Sequence, residues 1–514
     1  MERIKALGVT HIWYTGVLAH STCTDYTAYN IPKDHPAIVK GKAGSPYAIK
    51  DYYDVDPDLA DSVPERIDEF MSLIERTHNA GMNVLIDFVP NHVARSYQSL
   101  MKPPDIDDLG QHDQTEFAFL PSNNFYYLPQ QTLKLGDGYN EYPAKVTGND
   151  CFTTRPDVHD WYETIKLNYG IDYLHGGATH FSPVPDTWQK MLHILLYWVG
   201  KNVDGFRCDM AEMVPVQFWN WVIPQVKKRK DVLFVAETYN PSCYQDYLQT
   251  GHFDLLYDKV GTYELLRQRV CHQTSTHVLR EHLQRIEPHS GRLLFFLENH
   301  DEQRIASDFF AGNAFAGIPA LIFIATYRDH PLLIYNGQEL GEKGMDDEGF
   351  SGLDGKTSIF DYWRMDSIRR WANGGLFDGG LLSDEQKRLR SLYQKILRLS
   401  NEEKALSKGS YYGLDDWNED HPHYPSDHLM TYLRKYDNEL ILVCINFDNR
   451  PHQLRIKLPA DAFDVLQIPD NTASVMKDLL TGEEQICALT CTCPFQVTVP
   501  QQFAQILKFH VPVT

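Results

Sequence analysis

The stretch SVPERIDEFMSLIERTHNAGMNVLIDFVPNH, residues 62–92, decides the fold class of this chain. Ser62 and Glu65 match the Ser-x-x-Glu capping box, which predicts a helix start, and apolar residues follow at helical spacing. The run 83–89 is almost wholly apolar, as is typical of a strand buried on both faces of a parallel sheet. The stretch therefore predicts a helix followed by a parallel strand, with Asp87 near the end of that strand.

The same alternation of helix-like segments and short apolar runs continues through residues 9–335. The runs interpreted as strands are 9–15, 83–89, 203–208, 232–236, 253–257, 293–297 and 332–335. Such repeated units are typical of an α/β fold of the (β/α)8 TIM-barrel type, which closes with eight parallel strands. Because the chain opens with what looks like the end of a helix, followed directly by a strand, we expect the first barrel strand to be missing from the N-terminus.

Two regions depart from this alternation. Residues 93–166 are irregular and much longer than an ordinary βα loop of about two to six residues, which indicates a small inserted subdomain at the barrel mouth. Residues 410–514 show short alternating strands separated by turn residues, which predicts a C-terminal antiparallel β-sandwich. The barrel itself is then assigned to residues 1–400.

Composition and charge exclude several classes of partner. The chain has 43% hydrophobic and 23% charged residues, which is ordinary for a globular protein, and its formal net charge of −21 argues against nucleic acid as a partner. The longest apolar stretch, 314–327, is too short to span a bilayer, and the first residues lack the apolar core of a signal peptide. Nine scattered cysteines fit a reducing compartment. We therefore expect a cytoplasmic protein, or a periplasmic or secreted one if the native start lies upstream.

Acidic residues stand at the ends of four predicted strands. They are Asp87, Asp209, Glu237 and Asp301. Because catalytic groups of parallel barrels project from the C-terminal ends of strands, these acids are candidates for a common site. Arg207 lies on the same strand face as Asp209, two residues before it, and an arginine beside a carboxylate holds it ionised. Helix capping or surface pairing is the alternative for any single acid.

Four short motifs resemble those of a known family. They are Asp87-Phe88-Val89-Pro90-Asn91-His92, Gly205-Phe206-Arg207-Cys208-Asp209, Glu237 at the end of its strand, and Asn299-His300-Asp301. In this order they resemble the motifs of the α-amylase family, glycoside hydrolase family 13, and residues 335–339 are similar to that family's eighth strand. The resemblance covers nearly the whole chain. It implies a catalytic barrel, an inserted B domain after the third strand and a C-terminal β-sandwich.

The resemblance also implies roles for individual residues. Asp209 would be the nucleophile of a double displacement, Glu237 the general acid and then base, and Asp301 the carboxylate that binds sugar hydroxyls. The residues implied to contact substrate are Arg207, His300, His92, Tyr47, Asn299 and Asp87. For Tyr47, which would stack under the sugar, ordinary packing is the alternative.

No cofactor is expected for the chemistry, and the sequence identifies no complete metal site. Asn91 matches a residue that ligates Ca²⁺ in many family members, which leaves a structural Ca²⁺ ion open beside a simple loop-bracing role.

The expected function is retaining hydrolysis of α-glucosidic bonds in α-1,4-glucan or maltooligosaccharides. Glu212 and Met213 stand where many α-amylases have a Lys-His pair that contacts the acceptor. This departure leaves open a 4-α-glucanotransferase, in which a sugar hydroxyl replaces water. A non-catalytic carbohydrate-binding homologue is the alternative of another class. The sequence leaves the oligomeric state open.

Overall fold

Seven parallel strands form the central sheet of the computed structural model, which describes residues 1–157 and 159–511. In spatial and chain order they are β1 (His11–Tyr14), β2 (Asn83–Phe88), β3 (Gly205–Cys208), β4 (Leu233–Ala236), β5 (Leu255–Tyr257), β6 (Leu293–Phe296) and β7 (Leu332–Leu333). All seven expected strands are present, and each begins and ends within two residues of its predicted bounds. Within the described ranges no eighth strand pairs with either edge of this sheet.

The sheet curls so that side chains from its two edges meet. Leu85 of β2, Val235 of β4 and Leu294 of β6 lie in one buried cluster, and Trp13 of β1 and Leu333 of β7 pack against it. Adjacent strands are about 4.8 Å apart, so the edge strands of a flat seven-stranded sheet could not share neighbours in this way. The inner face of the sheet is therefore the filled interior of a barrel.

Helices cover the outer face of the sheet. In chain order the helices are α1 (Glu2–Lys5), α2 (Arg66–Asn79), α3 (Asp186–Gly200), α4 (Val216–Lys227), α5 (Glu264–Val270), α6 (Thr276–Ile286), α7 (Ile318–Thr326), α8 (Asp366–Ala372), α9 (Asp384–Glu402), α10 (Lys404–Ser407) and, in the C-terminal region, α11 (Ala460–Leu466). Val84 and Ile86 of β2 alternate with the interior residue Leu85 and join the largest buried cluster, together with Phe70 of α2 and Trp198 of α3. None of the described helices is long and apolar enough to cross a membrane.

The capping box expected before α2 is wrong. A 3₁₀ turn, Val63–Glu65, precedes the helix, and neither Ser62 nor Glu65 makes a side-chain capping bond. Glu69 instead accepts hydrogen bonds from the backbone N–H groups of Asp61 (2.9 Å) and Ser62 (2.7 Å). Glu69, one turn into the helix, thus takes the Ser62 N–H that the motif assigned to Glu65, and Glu65 N–H donates to Ser62 O (2.9 Å) and not to the Ser62 side chain.

A long irregular segment separates β2 from α3. Its first strand, His92–Ala94, pairs antiparallel with Thr164–Lys166, so the segment leaves and rejoins the barrel at neighbouring points. Tyr126, Leu133 and Val146 form a small buried cluster within this segment.

Two further short strands, Leu18–His20 and Ile49–Val55, lie between β1 and α2. The remaining short strands between β2 and α3 are Tyr127–Leu128, Leu133–Lys134, Asn140–Glu141, Ala144–Lys145, Ile171–Asp172 and Ala178–Thr179.

The C-terminal region forms an antiparallel sandwich. Its strands are β8 (Ser410–Gly413), β9 (Leu429–Tyr436), β10 (Glu439–Asn446), β11 (His452–Ile456), β12 (Thr472–Asp478), β13 (Glu484–Leu489), β14 (Phe495–Val499) and β15 (Phe503–His510). Six strands form a sheet of order β8-β9-β10-β15-β12-β13, and β11 pairs with β14. Leu440 and Leu442 of β10 join the core that the two sheets enclose, whereas Ile441 and Val443 face the barrel helices. This alternation attaches the sandwich to the barrel.

Candidate active site

Arg207, on β3, lies at the centre of the candidate site, and its side chain is only 1% exposed. Its Nη1 lies 2.6 Å from Asp209 Oδ1 and 3.6 Å from Asp87 Oδ1. Its Nη2 lies 2.8 Å from Glu237 Oε1, in the geometry of an ion pair and not of a straight hydrogen bond. A single guanidinium therefore contacts the acids at the ends of β2, β3 and β4.

The register of the sheet places these acids side by side. Cys208 of β3 is paired with Phe88 of β2 and with Ala236 of β4. Asp209 and Glu237 come directly after these pairs and extend the ladder, since Asp209 N–H donates to Phe88 O (2.9 Å) and Glu237 N–H donates to Cys208 O (3.0 Å). Main-chain hydrogen bonds, and not flexible loops, thus fix the spacing of the two carboxyls.

Three aromatic rings surround the guanidinium. The Arg207 Cζ atom lies 5.2 Å from the ring centre of Trp13, 5.3 Å from that of Tyr47 and 5.6 Å from that of Tyr257. Cation–π attraction strengthens as water is excluded, so these rings hold the cation in its buried position. Tyr257 belongs to β5 and Trp13 to β1. The curled sheet therefore brings residues from distant strands to the same guanidinium.

The site has fewer positive charges than carboxyls. Burial and the negative charge of Glu237 raise the pKa of Asp209, and the Arg207 guanidinium opposes that rise. Burial also raises the pKa of Asp87, whose Oδ2 accepts a hydrogen bond from Gly16 N–H (2.9 Å). Because three buried carboxyls share one arginine, the cluster favours the retention of a proton among them.

Glu237 has two partners besides Arg207 that the sequence analysis missed. Met210 N–H donates to Glu237 Oε2, and the Tyr239 hydroxyl donates to Glu237 Oε1, both at 2.7 Å. Glu212 Oε2 accepts from the backbone N–H groups of Tyr239 and Asn240, both at 3.1 Å. Glu212 therefore braces the turn that positions Tyr239. The available signal was the position of Tyr239 two residues after Glu237, just beyond the end of β4.

A second group of expected residues lies beside Arg207. His300 Nε2 is 2.6 Å from the Tyr47 hydroxyl and 3.1 Å from Asp301 Oδ2, and the rings of His300 and Tyr47 stack 5.3 Å apart. Burial and then Arg207 lower the pKa of His300 to about 4, so it is neutral at pH 7. Asp301 is 39% exposed, which leaves its carboxylate accessible to a ligand, although burial raises its pKa. Asn299 Oδ1 accepts from Asp301 N–H (2.8 Å) and so shapes the turn.

His92 lies at the border between the barrel and the inserted segment. Its ring is 5.1 Å from that of Trp161, and it is also near the backbone of Tyr47. Burial and then the positive charge of Lys166 lower the pKa of His92 to about 3. The structure thus brings Asp87, Asp209 and Glu237 into direct contact with Arg207. Tyr47, His300 and Asp301 lie beside this cluster. Asn299 acts by shaping the turn, and His92 lies at the rim.

Comparison with known sequences identifies relatives. Residues 1–373 match the family model described as "Alpha amylase, catalytic domain". The α-amylase MalA of Haloarcula japonica is 25% identical over 477 residues, which are 91% of this chain and 54% of that protein. A cyclomaltodextrinase of a Bacillus species is 24% identical over 425 residues, which are 81% of this chain and 62% of that protein. The chain therefore spans between half and two thirds of the length of these two relatives.

Solved structures share the fold over the whole chain. A noncanonic maltogenic α-amylase, AmyB from Thermotoga neapolitana, is 21% identical with a TM-score of 0.64, and the match covers 99% of this chain and 92% of that one. An α-amylase from Geobacillus thermoleovorans, solved with acarbose, is 19% identical with a TM-score of 0.64 and coverage of 99% and 90%. Barrel, inserted segment and C-terminal sandwich thus form one known architecture. Since the family model matches well over half of the sequence, this chain belongs to the α-amylase family.

Proposed function

We propose that this protein is a retaining glycoside hydrolase that cleaves α-glucosidic bonds in α-1,4-glucan or maltooligosaccharides. The observation that carries the proposal is the contact of one guanidinium, that of Arg207, with both Asp209 and Glu237. Double displacement with net retention needs one ionised and one protonated carboxyl about 5 to 5.5 Å apart. A buried pair that shares a cation and retains a proton has the composition that this chemistry needs.

In the first step Asp209 attacks the anomeric carbon and Glu237 gives its proton to the departing glycosidic oxygen. We assign the nucleophile role to Asp209, which accepts a hydrogen bond from Arg207 Nη1 (2.6 Å), and the proton-donor role to Glu237, which Arg207 contacts only as an ion pair. In the second step Glu237, now ionised, takes a proton from water, and the resulting hydroxide displaces Asp209 from the sugar. Both carboxyls return to their starting protonation states.

The partly exposed Asp301 and the neutral His300 then bind hydroxyls of the reacting sugar. A neutral histidine donates a hydrogen bond without adding positive charge beside an oxocarbenium-like transition state. Tyr47, which is stacked on His300, supplies an aromatic face at the same place. We assign to His92 a further hydrogen bond to the sugar at the rim of the site.

The names of the relatives support the substrate class. They include α-amylase, cyclomaltodextrinase and an intracellular maltogenic amylase of Bacillus subtilis. A 4-α-glucanotransferase is the second candidate, because Glu212 is engaged in bracing the turn at Tyr239 and does not replace the acceptor-side pair of many α-amylases. Each of the four acids expected from the sequence contacts either Arg207 or His300. This complete cluster argues against a protein that only binds sugar.

The test is to incubate the purified chain with maltoheptaose and separate the products by length, with Asp209→Asn as the control. Shorter maltooligosaccharides alone are the expected result, and longer ones would move the assignment to a transferase. A fluorinated maltosyl substrate that traps the intermediate should raise the mass of the intact protein by one glycosyl unit, and the Asp209→Asn variant should show no such increase. A chain that acts on no α-glucan and is never labelled would overturn the proposal.

We also place the protein in a reducing compartment, in keeping with the cytoplasmic location expected from the sequence. All nine cysteines lie in the described part of the chain, and none of them is paired in a disulfide. Activity that is unchanged by thiol reductants supports this placement, and loss of activity under the same treatment contradicts it.

A further inference from the structure

Lys166 is a buried lysine that the proposed reaction does not use. It ends the strand that closes the inserted segment, and its side chain is 2% exposed. Its Nζ lies 2.9 Å from Asn91 Oδ1 and 2.6 Å from Asp150 Oδ1. A buried ammonium is costly unless it is paired and hydrogen-bonded, so these two oxygen partners are what keeps the charge in place.

Further contacts surround this ammonium. The Tyr173 ring centre lies 5.4 Å from Lys166 Nζ, which adds a cation–π contact. The Asn91 side chain also donates to Gly148 O (2.8 Å), so it links the barrel to the loop that carries Asp150. A Cβ at Gly148 would lie 2.6 Å from Thr164 Oγ1, which shows how closely this loop packs.

This arrangement does not fit a calcium ion. Ca²⁺ takes six to eight oxygen ligands at about 2.3 to 2.6 Å. The oxygens of Asn91 and Asp150 both face the Lys166 ammonium, and a divalent cation bound to both would lie against that like charge. Within residues 1–157 and 159–511, no group of three or more His, Cys, Asp or Glu side chains is placed to hold a metal ion.

We infer that the Lys166 ammonium is a built-in cation that joins the inserted segment to the barrel at Asn91, where the family resemblance implies Ca²⁺ ligation, and that no Ca²⁺ is held there. The lysine connects Asp150 of the insertion with Asn91, the residue before His92. The cation at this contact between insertion and barrel is therefore a side chain of the protein itself, and the contact does not depend on metal supply. Thermal unfolding reports this property whether or not the proposed hydrolysis is correct.

The first experiment uses the full chain without substitutions. Its melting temperature is measured with millimolar EDTA, with millimolar CaCl₂ and with neither, and CaCl₂ is titrated into EDTA-treated protein by calorimetry. We expect the same melting temperature in all three conditions and no binding heat that saturates. A melting temperature that falls in EDTA and is restored by CaCl₂, or a saturating heat of binding, would overturn the inference.

The second experiment is a double-mutant cycle of Lys166→Met and Asp150→Asn. Lys166→Met should lower the melting temperature by several degrees, and adding Asp150→Asn should lower it little further, because the partner of the carboxylate is already gone. Strictly additive effects would contradict the bridge. Lys477→Met, in the exposed pair with Glu484 (3.4 Å), is the matched control and should leave the melting temperature unchanged. If Lys166→Met does not fold, the calcium and EDTA measurements on the unmutated chain still decide.

Discussion

Replacement of Tyr239 by phenylalanine should weaken general acid catalysis while leaving the fold intact. The Tyr239 hydroxyl donates to Glu237 Oε1 at 2.7 Å, and the ammonium of Lys259 lies 5.2 Å from the centre of the Tyr239 ring. Phenylalanine keeps the ring and removes only the hydroxyl. Glu237 then keeps Met210 N–H on Oε2 and the ion pair with Arg207 on Oε1, but it loses the hydroxyl donor on Oε1.

The size of the effect comes from the lost hydrogen bond. A bond to a group that is charged during the cycle contributes about 1.5 to 3 kcal/mol. Since about 1.4 kcal/mol corresponds to a tenfold change in rate, kcat on maltoheptaose should fall about tenfold to a hundredfold. KM should change little, because we assign Tyr239 to the acid and not to the bound sugar.

The assay that isolates this role compares two leaving groups. Fluoride leaves with little help from an acid, so Tyr239→Phe should slow maltosyl fluoride much less than maltoheptaose. Equal losses on both substrates would refute the assignment to proton transfer, and no loss on either would refute any positioning role. The control is Tyr412→Phe, which removes a hydroxyl that donates to the Asp461 carboxylate (2.7 Å) in the C-terminal sandwich and should leave both rates unchanged.

Three further predictions follow from other contacts. Arg207→Lys keeps the charge but loses the two-pronged contact with both candidate catalytic carboxyls, so kcat should fall by about a hundredfold or more. Glu212→Ala should reproduce the loss of Tyr239→Phe, with fluoride again spared, because the turn loses its anchor. His20 Nδ1 lies 3.0 Å from Asp56 Oδ2, and although burial lowers the pKa of His20, Asp56 raises it to about 9. Its stabilisation, about 3 kcal/mol, is therefore complete below about pH 6.5 and lost as the pH rises to about 9. Denaturant unfolding of His20→Gln should show a flatter pH dependence over that range.

Local patterns were enough to predict the strands and the acids at their ends. A strand such as 83–89 is recognisable because a run of apolar residues is buried away from water. An acid near the end of such a run, here Asp87, lies where the C-terminal ends of the parallel strands meet. The motif of Ser62 and Glu65 failed for the opposite reason. Two residue types at the right spacing do not show whether a 3₁₀ turn precedes the helix. They also do not show whether another side chain, here that of Glu69, accepts from Ser62 N–H in place of Glu65.

Contacts between segments far apart in the sequence were not predictable in this way. Lys166 and Asn91 are 75 residues apart, and only the pairing of Thr164–Lys166 with His92–Ala94 brings them together. From the sequence, Glu212 was interpreted only by its position, where many α-amylases have a residue that contacts the acceptor. The residues that surround Glu212 in the fold were not known from the sequence. The structure shows Glu212 bound to the backbone N–H of Tyr239, so it positions the residue that donates to the proposed acid, Glu237.

The charge balance at the ends of the strands favours a cationic transition state. Arg207 is the one cation in contact with Asp87, Asp209 and Glu237 among the described residues, so the cluster stays negative after the retained proton is counted. His300, with a pKa of about 4, adds no positive charge above pH 5. In the proposed reaction, a sugar that gains positive charge as its bond breaks would therefore be attracted more strongly than the neutral substrate, and only such differential binding speeds a reaction. A second cation at the centre of the site would cancel this preference. The single charge of Arg207 leaves it in place, because Arg207 contacts more than one carboxyl.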